Sequence, residues 1–229
     1  MTLVLAFDCA VSGLGLALVR DGRRDGEILA AHREEGREQA SRLLPAIAGL
    51  LRAADVDRRA LSMIAVTVGP GSFTGVRVGL AAARGLAIAL DVPLAGLSTT
   101  TTLIARAPKS ERLAVAAIDS HIGDWFCALG EKEQAPFLAT TAMLVETLKK
   151  RPSLVIGPPA KLLAAELAAA GLDVEAEAAL PDPVVLARLA IADGVAAWRA
   201  RNRSEGLPRP LYLRGVNVTL PDGQRRTVD

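Results

Sequence analysis

Met63 to Leu90 reads MIAVTVGPGSFTGVRVGLAAARGLAIAL. Ile64 to Val68 is an apolar, β-branched run of strand length. It breaks at Gly69-Pro70-Gly71, where Ser72 and Thr74 offer helix N-cap side chains, and a long apolar helix follows, punctuated by Gly79, Arg84 and Gly85. Strand, glycine-rich turn and helix N-terminus in that order resemble a phosphate cradle. No Gly-Lys-Ser/Thr closes the loop, so a Walker A reading fails. Along the helix, Gly75, Gly79, Ala83 and Ala87 recur every four residues and share one nearly flat face. Each glycine inside a helix costs about 1 kcal/mol relative to alanine, so close approach of another backbone is expected to compensate. That backbone belongs either to the chain's own sheet, as most apolar stripes do, or to a helix of a partner chain.

Working outward toward the N-terminus, Leu3 to Phe7 reads as a buried strand ending at Asp8. A second strand, Leu14 to Arg20, and a third, Glu27 to Arg33, complete a meander. The apolar periodicity of Glu38 to Ala54 predicts an amphipathic helix with Ala40, Leu43, Leu44, Ile47, Leu51 and Ala54 on one face. Pro45 inside it removes a backbone donor, at a cost of order 3 kcal/mol. Toward the C-terminus, a short strand at Leu94-Ala95-Gly96 precedes the cap cluster Ser98 to Thr102 and a brief helix to Ala107.

After Pro108-Lys109 the pattern restarts. LAFDCAVSGLGLAL and AAIDSHIGDWFCAL share strand, terminal acid, polar turn and return strand, and Asp8 and Asp119 stand 111 residues apart. Each acid is followed at +9 and +10 by Ala-Leu, which reads as a duplicated unit. A helix at Thr141 to Lys150, a strand at Leu154 to Ile156, a helix at Lys161 to Ala170 and a long helix at Pro183 to Arg201, capped by Asp182, complete the expected elements. The two halves argue for a two-lobed α/β fold with mixed sheets and a reduced second lobe. The expected partition is 1–108, completed by helix 183–201, then 109–180, and an Arg-rich tail at 202–229.

With 229 residues and 51% apolar composition the chain can bury a sizeable core, filled by Ala, Leu and Val because aromatics are only 3%. The net charge of +2 argues neither for nor against nucleic acid, yet Trp198 to Asp229 holds seven Arg against three acids. A solvated tail is the default, and contact of Arg201, Arg203, Arg225 and Arg226 with phosphates is the alternative. Cys9 and Cys127 sit in strand-like runs and read as buried free thiols of a reducing cytosol. No basic n-region precedes the first apolar run, and Arg84 interrupts the most membrane-like stretch, Val78 to Leu90. The expectation is a soluble cytoplasmic protein with no membrane contact.

Asp8 and Asp119, with Ser12 in the first turn, are weak candidates for a metal–phosphate site; the plainer reading of each acid is an Asx-turn that pins its hairpin. Pro158-Pro159 occupies the strand-to-helix turn of the second half, and proline offers no N–H to a nucleotide. His32 and His121 are the only histidines and lack the spacing of a metal helix or the partners of a triad. No convincing catalytic or metal centre emerges.

The run Gly69 to Arg77 (GPGSFTGVR), with Val78-Gly79-Leu80 and Arg84 to Ala87, resembles the signature of the TsaB (YeaZ) family. LAFDCA, Arg42 to Pro45, Ala116 to Asp119 and Pro210-Leu-Tyr-Leu-Arg214 add to the resemblance, which spans nearly the whole chain. Gln39 and Cys9-Ala10 depart from the family pattern. The resemblance implies the two-lobed actin/Hsp70-like (ASKHA) ATPase fold. It also implies a non-catalytic subunit of bacterial tRNA N6-threonylcarbamoyladenosine synthesis, paired with a TsaD-like catalytic subunit, joined by a TsaE-like ATPase and meeting tRNA through the complex. No cofactor is implied for the isolated chain, since ATP and magnesium serve the assembly. Pairing is implied through helices 38–54 and 75–90, with Leu43, Leu44, Ile47, Gly75, Arg77, Gly79, Ala83, Arg84 and Ala87 as interface residues, and self-pairing through the same surface when no partner is present. The rival readings are a sugar-kinase-like ATPase and a metallopeptidase-like hydrolase.

Overall fold

The structure is a computed structural model that describes residues 1–22, 26–36, 38–131 and 135–214, and by backbone alone 216–219 and 225–228. Its first half contains β1 (Leu3–Asp8), β2 (Leu14–Arg20), β3 (Glu27–Glu34), α1 (Gln39–Ala53), β4 (Met63–Thr67), α2 (Phe73–Leu90), β5 (Leu94–Leu97) and α3 (Thr99–Arg106). The second half repeats the sequence of elements with β6 (Leu113–Asp119), β7 (Trp125–Leu129), β8 (Phe137–Ala139), α4 (Thr141–Leu148), β9 (Ser153–Gly157), α5 (Ala160–Ala169), β10 (Val174–Ala178) and α6 (Pro183–Asp193). α7 (Val195–Glu205) and a hairpin of β11 (Val216–Thr219) and β12 (Arg225–Val228) end the chain.

The duplication extends to topology. The first sheet runs β3-β2-β1-β4-β5 and the second β8-β7-β6-β9-β10, each with an antiparallel meander followed by parallel strands. This is the actin/Hsp70-like arrangement of two duplicated mixed-sheet lobes. The second lobe has as many strands as the first and is reduced only in element length: α4 and α5 have 8 and 10 residues, against 15 and 18 in α1 and α2. β8 and the alternating edge strand β10 (VEAEA) have no counterpart in the sequence-based expectation.

Side-chain size sorts the two faces of each sheet. In β1, Leu3, Leu5 and Phe7 point toward α1 and α2, while Val4 and Ala6 point inward to α6. The smaller inward residues leave room for a helix close to the strand. In β6, Val115 and Ala117 face α4 and α5, while Ala116 and Ile118 meet Leu103 and Ile104 of α3. The two inner helices are exchanged: α3 leaves the first sheet to lie on β6 and β7, and α6 leaves the second sheet to lie on β1 and β2. α3, expected in the first lobe, therefore packs on the second.

Three further expectations are corrected. The helix foreseen over 183–201 breaks at Gly194, whose φ of 88° and ψ of 149° end α6 and start α7. On the face of the first sheet that it shares with α2, α1 buries Leu43, Ile47 and Leu50, so its seam is narrower than the sequence periodicity indicated and Leu44 stays outside. The tail is docked rather than solvated over residues 207–214. Leu211 N–H donates to Val68 O at 2.8 Å, and Arg84 donates from Nε and a terminal NH2 to Pro208 O at 3.1 and 2.5 Å. This strap crosses to the second lobe, where Arg214 pairs with Asp124. Nearby, Asn202 of α7 accepts from Leu94 N–H at 2.7 Å and donates to Leu94 O at 3.0 Å, satisfying the free edge of β5. Arg201 stacks on Trp198 and pairs with Asp193, whereas the side chains of Arg225 and Arg226 lie outside the described residues.

Candidate functional site

The turn after β1 touches both lobes through Val11. Asp8 is buried; its Oδ1 accepts from Thr67 Oγ1 at 2.6 Å and from Ala10 N–H at 3.1 Å. Its Oδ2 has no partner among the described residues. Burial pushes the carboxyl up from its ordinary range, partly offset by the Thr67 and Ala10 hydrogen bonds and by the charge of Arg33. Arg33 reaches across from β3 and donates to Pro181 O at 2.6 Å, just before α6. Asp119 forms the matching Asx-turn, accepting from His121 N–H at 2.6 Å.

Those two acids do not face each other. Strand alternation puts Asp8 on the inner face with Val4 and Ala6, but Asp119 on the outer face with Val115 and Ala117. Asp119 instead lines an open pocket of about 440 Å³ with His121, Gly123, Asp124, Trp125, Thr141 and Glu166. A one-residue difference in register sends a whole side-chain set to the other face, and the hairpins differ by that amount: Asp8 pairs with Gly15, seven positions on, and Asp119 with Trp125, six positions on. The fixed-offset match of the two Ala-Leu pairs concealed the slip. Ser12 is exposed and takes no part in the hydrogen bonds of Asp8.

The glycine-rich turn is turned inward on the chain's own backbone. A Cβ on Gly71 would stand 2.1 Å from Ala10 O, and one on Gly75 only 1.9 Å from Cys9 O, so the α2 N-terminus abuts two carbonyls of the first turn. Ser72 N–H donates to Ala10 O at 2.6 Å, and Gly75 N–H to Ser72 Oγ at 3.2 Å. In the second lobe a Cβ on Gly157 would stand 2.0 Å from Ala117 O, and Pro158 and Pro159 follow without N–H groups. Of the donors a phosphate cradle would draw on, the N–H groups of Ser72 and Gly75 are committed within the chain, and Pro158 and Pro159 have none to give. Among the described residues no three His, Cys, Asp or Glu side chains converge as a metal site. Burial pushes the thiols of Cys9 and Cys127 up to about 12, which leaves them inert.

The proposed interface residues divide sharply. Leu43, Ile47, Gly75, Gly79, Ala83 and Ala87 are buried on the chain's own sheet; Gly79 lies over Val66 and Cys9. The small-residue stripe is thus a device for seating α2 close to β4 and to the turn that follows β1. Arg84 is spent on the strap through Pro208 O. Arg77 lies 3.5 Å over the Phe73 ring and donates from Nε to Tyr212 Oη at 2.8 Å.

What α2 shows to the outside is a second small stripe, Ala81, Gly85 and Ala89, beside Ile88 at 71% exposure. α1 adds Leu44, 55% exposed, and Ala48. The sequence holds this second stripe at the same four-residue spacing, and only the position of the sheet tells the two apart. By length and apolarity α2 could also cross a membrane, its 18 residues having a mean hydropathy of 1.4, but its Gly75–Ala87 stripe is seated on the sheet.

The family model described as TsaD, tRNA N6-adenosine threonylcarbamoyltransferase, matches residues 31–187. A tRNA threonylcarbamoyladenosine biosynthesis protein TsaB of Escherichia coli (strain K12) is 33% identical over 134 residues, 57% of this chain and 56% of that protein. The protein of that name from Bacillus subtilis (strain 168) is 33% identical over 126 residues, 55% of this chain and 54% of that one. The match thus spans about half the length of these curated relatives. Among solved structures, a Pseudomonas aeruginosa protein described as similar to peptidase YeaZ superposes with a TM-score of 0.69 at 26% identity, covering 93% of this chain and all (100%) of that one. YeaZ from Pseudomonas aeruginosa gives 0.66 at 25% identity, with the same coverage of 93% and 100%. With the family model matched over more than half of this chain, the chain belongs to the TsaD (tRNA N6-adenosine threonylcarbamoyltransferase) family, and the relatives it resembles within it are TsaB and YeaZ proteins.

Proposed function

We propose that the chain is a non-catalytic, cytoplasmic subunit of tRNA N6-threonylcarbamoyladenosine biosynthesis that docks a TsaD-like catalytic subunit through α1 and α2. The observation that carries this reading is the outward apolar surface of those helices, Leu44, Ala81, Gly85 and Ile88, on a lobe whose glycine-rich turn is spent on its own backbone. An exposed apolar surface is the usual mark of a protein partner. Flat small-residue stripes let helices approach at the short end of the 8–10 Å range. The names of the relatives support the pathway, and the TsaD-family match of this chain supports a partner of related fold.

In this reading the isolated chain holds no nucleotide, which the committed N–H groups of Ser72 and Gly75 and the prolines at 158 and 159 support, and ATP and magnesium act in the assembly with a TsaE-like ATPase. tRNA meets the complex rather than this chain alone. Co-expression with the TsaD-like subunit of the same organism, followed by size-exclusion chromatography, is expected to give one co-eluting species. Separate elution of two well-folded proteins overturns the reading. Calorimetric titration of the isolated chain with ATP and magnesium is expected to show no heat of binding; micromolar affinity would favour the kinase-like alternative.

A further inference from the structure

Arg77 differs from the other arginines of the two outer helices. α1 and α2 together carry Arg42, Arg52, Arg77 and Arg84 and no acid. Arg42 is held by both carboxylate oxygens of Glu34, at 3.0 and 2.9 Å, and Arg84 is half-buried under Pro208. Arg52 is exposed near the end of α1. The Arg77 guanidinium carbon sits 3.5 Å from the centroid of the Phe73 ring, with the Tyr212 ring centroid 5.7 Å away and its hydroxyl on Nε. The two rings lie 5.5 Å apart and are 41% and 42% exposed. Among the described residues no acceptor lies on the two terminal nitrogens.

We infer that Arg77 is a preorganised receptor for a carboxylate of the partner protein that docks on α1 and α2. This rests on the docking reading above. A stacked guanidinium keeps its planar fork aimed while its flexible stem is already ordered, and that fork matches a carboxylate with two parallel hydrogen bonds. Its place on the helix gives it the right neighbour: Arg77, Ala81, Gly85 and Ile88 fall within one outward face of α2 at 100° per residue. An arginine with tyrosine beside an apolar surface is the composition of an interface hot spot. A nucleic-acid backbone fits the place poorly, because a phosphate footprint needs several free cations and the neighbouring positions are Ala, Gly and Ile with Arg84 tied down. A second copy fits poorly too. A two-fold pair would set this patch against itself, and the acids it could bring are confined to the helix ends, Glu38 before α1 and Asp91 after α2, the latter paired with Arg199.

The test is calorimetric titration of Arg77→Gln, Arg77→Lys and Ile88→Glu chains with the TsaD-like subunit of the same organism, together with melting temperatures. Arg77→Gln is expected to weaken binding about tenfold or more. Arg77→Lys should lose nearly as much, since a point charge cannot replace the fork, and both chains should melt with the wild type because the side chain is exposed. If Ile88→Glu abolishes binding while both Arg77 variants bind within about twofold of wild type, the receptor is overturned and the docking face stands. If the wild-type chain itself does not bind, the docking reading falls and takes the receptor with it. Arg77 variants that bind the subunit normally but weaken binding of the assembled pair to tRNA would make Arg77 a phosphate contact, which also overturns the inference.

Discussion

Asp8 carries a strained balance that a pH series can read. Its carboxyl is pushed above the ordinary value of 3.8 by burial, so the sign runs against the usual acidic residue. Below that ordinary value the group is protonated in folded and unfolded chains alike, and its contribution is fully present. As pH rises, the unfolded chain ionises first, and stability is lost up to the raised folded value. Asp8→Asn keeps an oxygen for Thr67 and Ala10 but does not titrate. The variant is therefore expected to gain on the wild type as pH rises from about 4 to 8, read from denaturant midpoints at each pH. A gap that instead shrinks with rising pH would mean that Arg33 and Thr67 outweigh burial. The Asx-turn role of both acids was legible in the sequence, because a carboxylate two residues before a free N–H needs only local geometry. Their apparent symmetry was not, since it turned on one residue of hairpin length.

At the scale of the element, α2 offers two internal comparisons. Gly75 lacks space for a Cβ because Cys9 O stands there, whereas nothing lies within 4 Å of a Cβ on Gly85. Gly75→Ala is expected to destabilise at the upper end of about 1–3 kcal/mol, and Gly85→Ala to stabilise by up to about 1 kcal/mol through helix propensity. Equal effects in thermal melts would contradict the assignment of inner and outer faces. Ala83→Leu and Ile88→Glu form the second comparison. Ala83 is fully buried at 0% exposure, so its enlargement should lower the melting temperature and spare partner affinity in the surviving folded fraction. Ile88→Glu should do the reverse. The helix itself, its Ser72 cap and its start near Gly75 follow from local spacing and capping chemistry. Which of its two small stripes meets the sheet does not, because four-residue spacing is blind to the direction of the core.

The largest scale was legible as a duplication and not as a packing. Strand, acid, turn and strand recur along the chain because alternation and turn chemistry are local. The first lobe was expected to be completed by helix 183–201, as α6 does, but the move of α3 onto the second sheet and the strap that ends at Arg214 are decided by contacts between residues far apart in sequence. Arg84 was read as partner-facing because nothing in α2 announces that Pro208 will return to it, and the Tyr212 hydroxyl that orders Arg77 is equally invisible from local spacing. The helix exchange has a consequence for a severed backbone. Each half of the sequence carries the inner covering of the other half's sheet, so neither can mature as an autonomous piece. A chain cut in the exposed Lys109–Ser110 turn should yield two fragments that aggregate when made singly. Made together they should reassemble into a soluble, native-like pair, recognisable by co-purification and a shared melting transition. A soluble, cooperatively folded fragment on its own would show that the exchanged helices are dispensable.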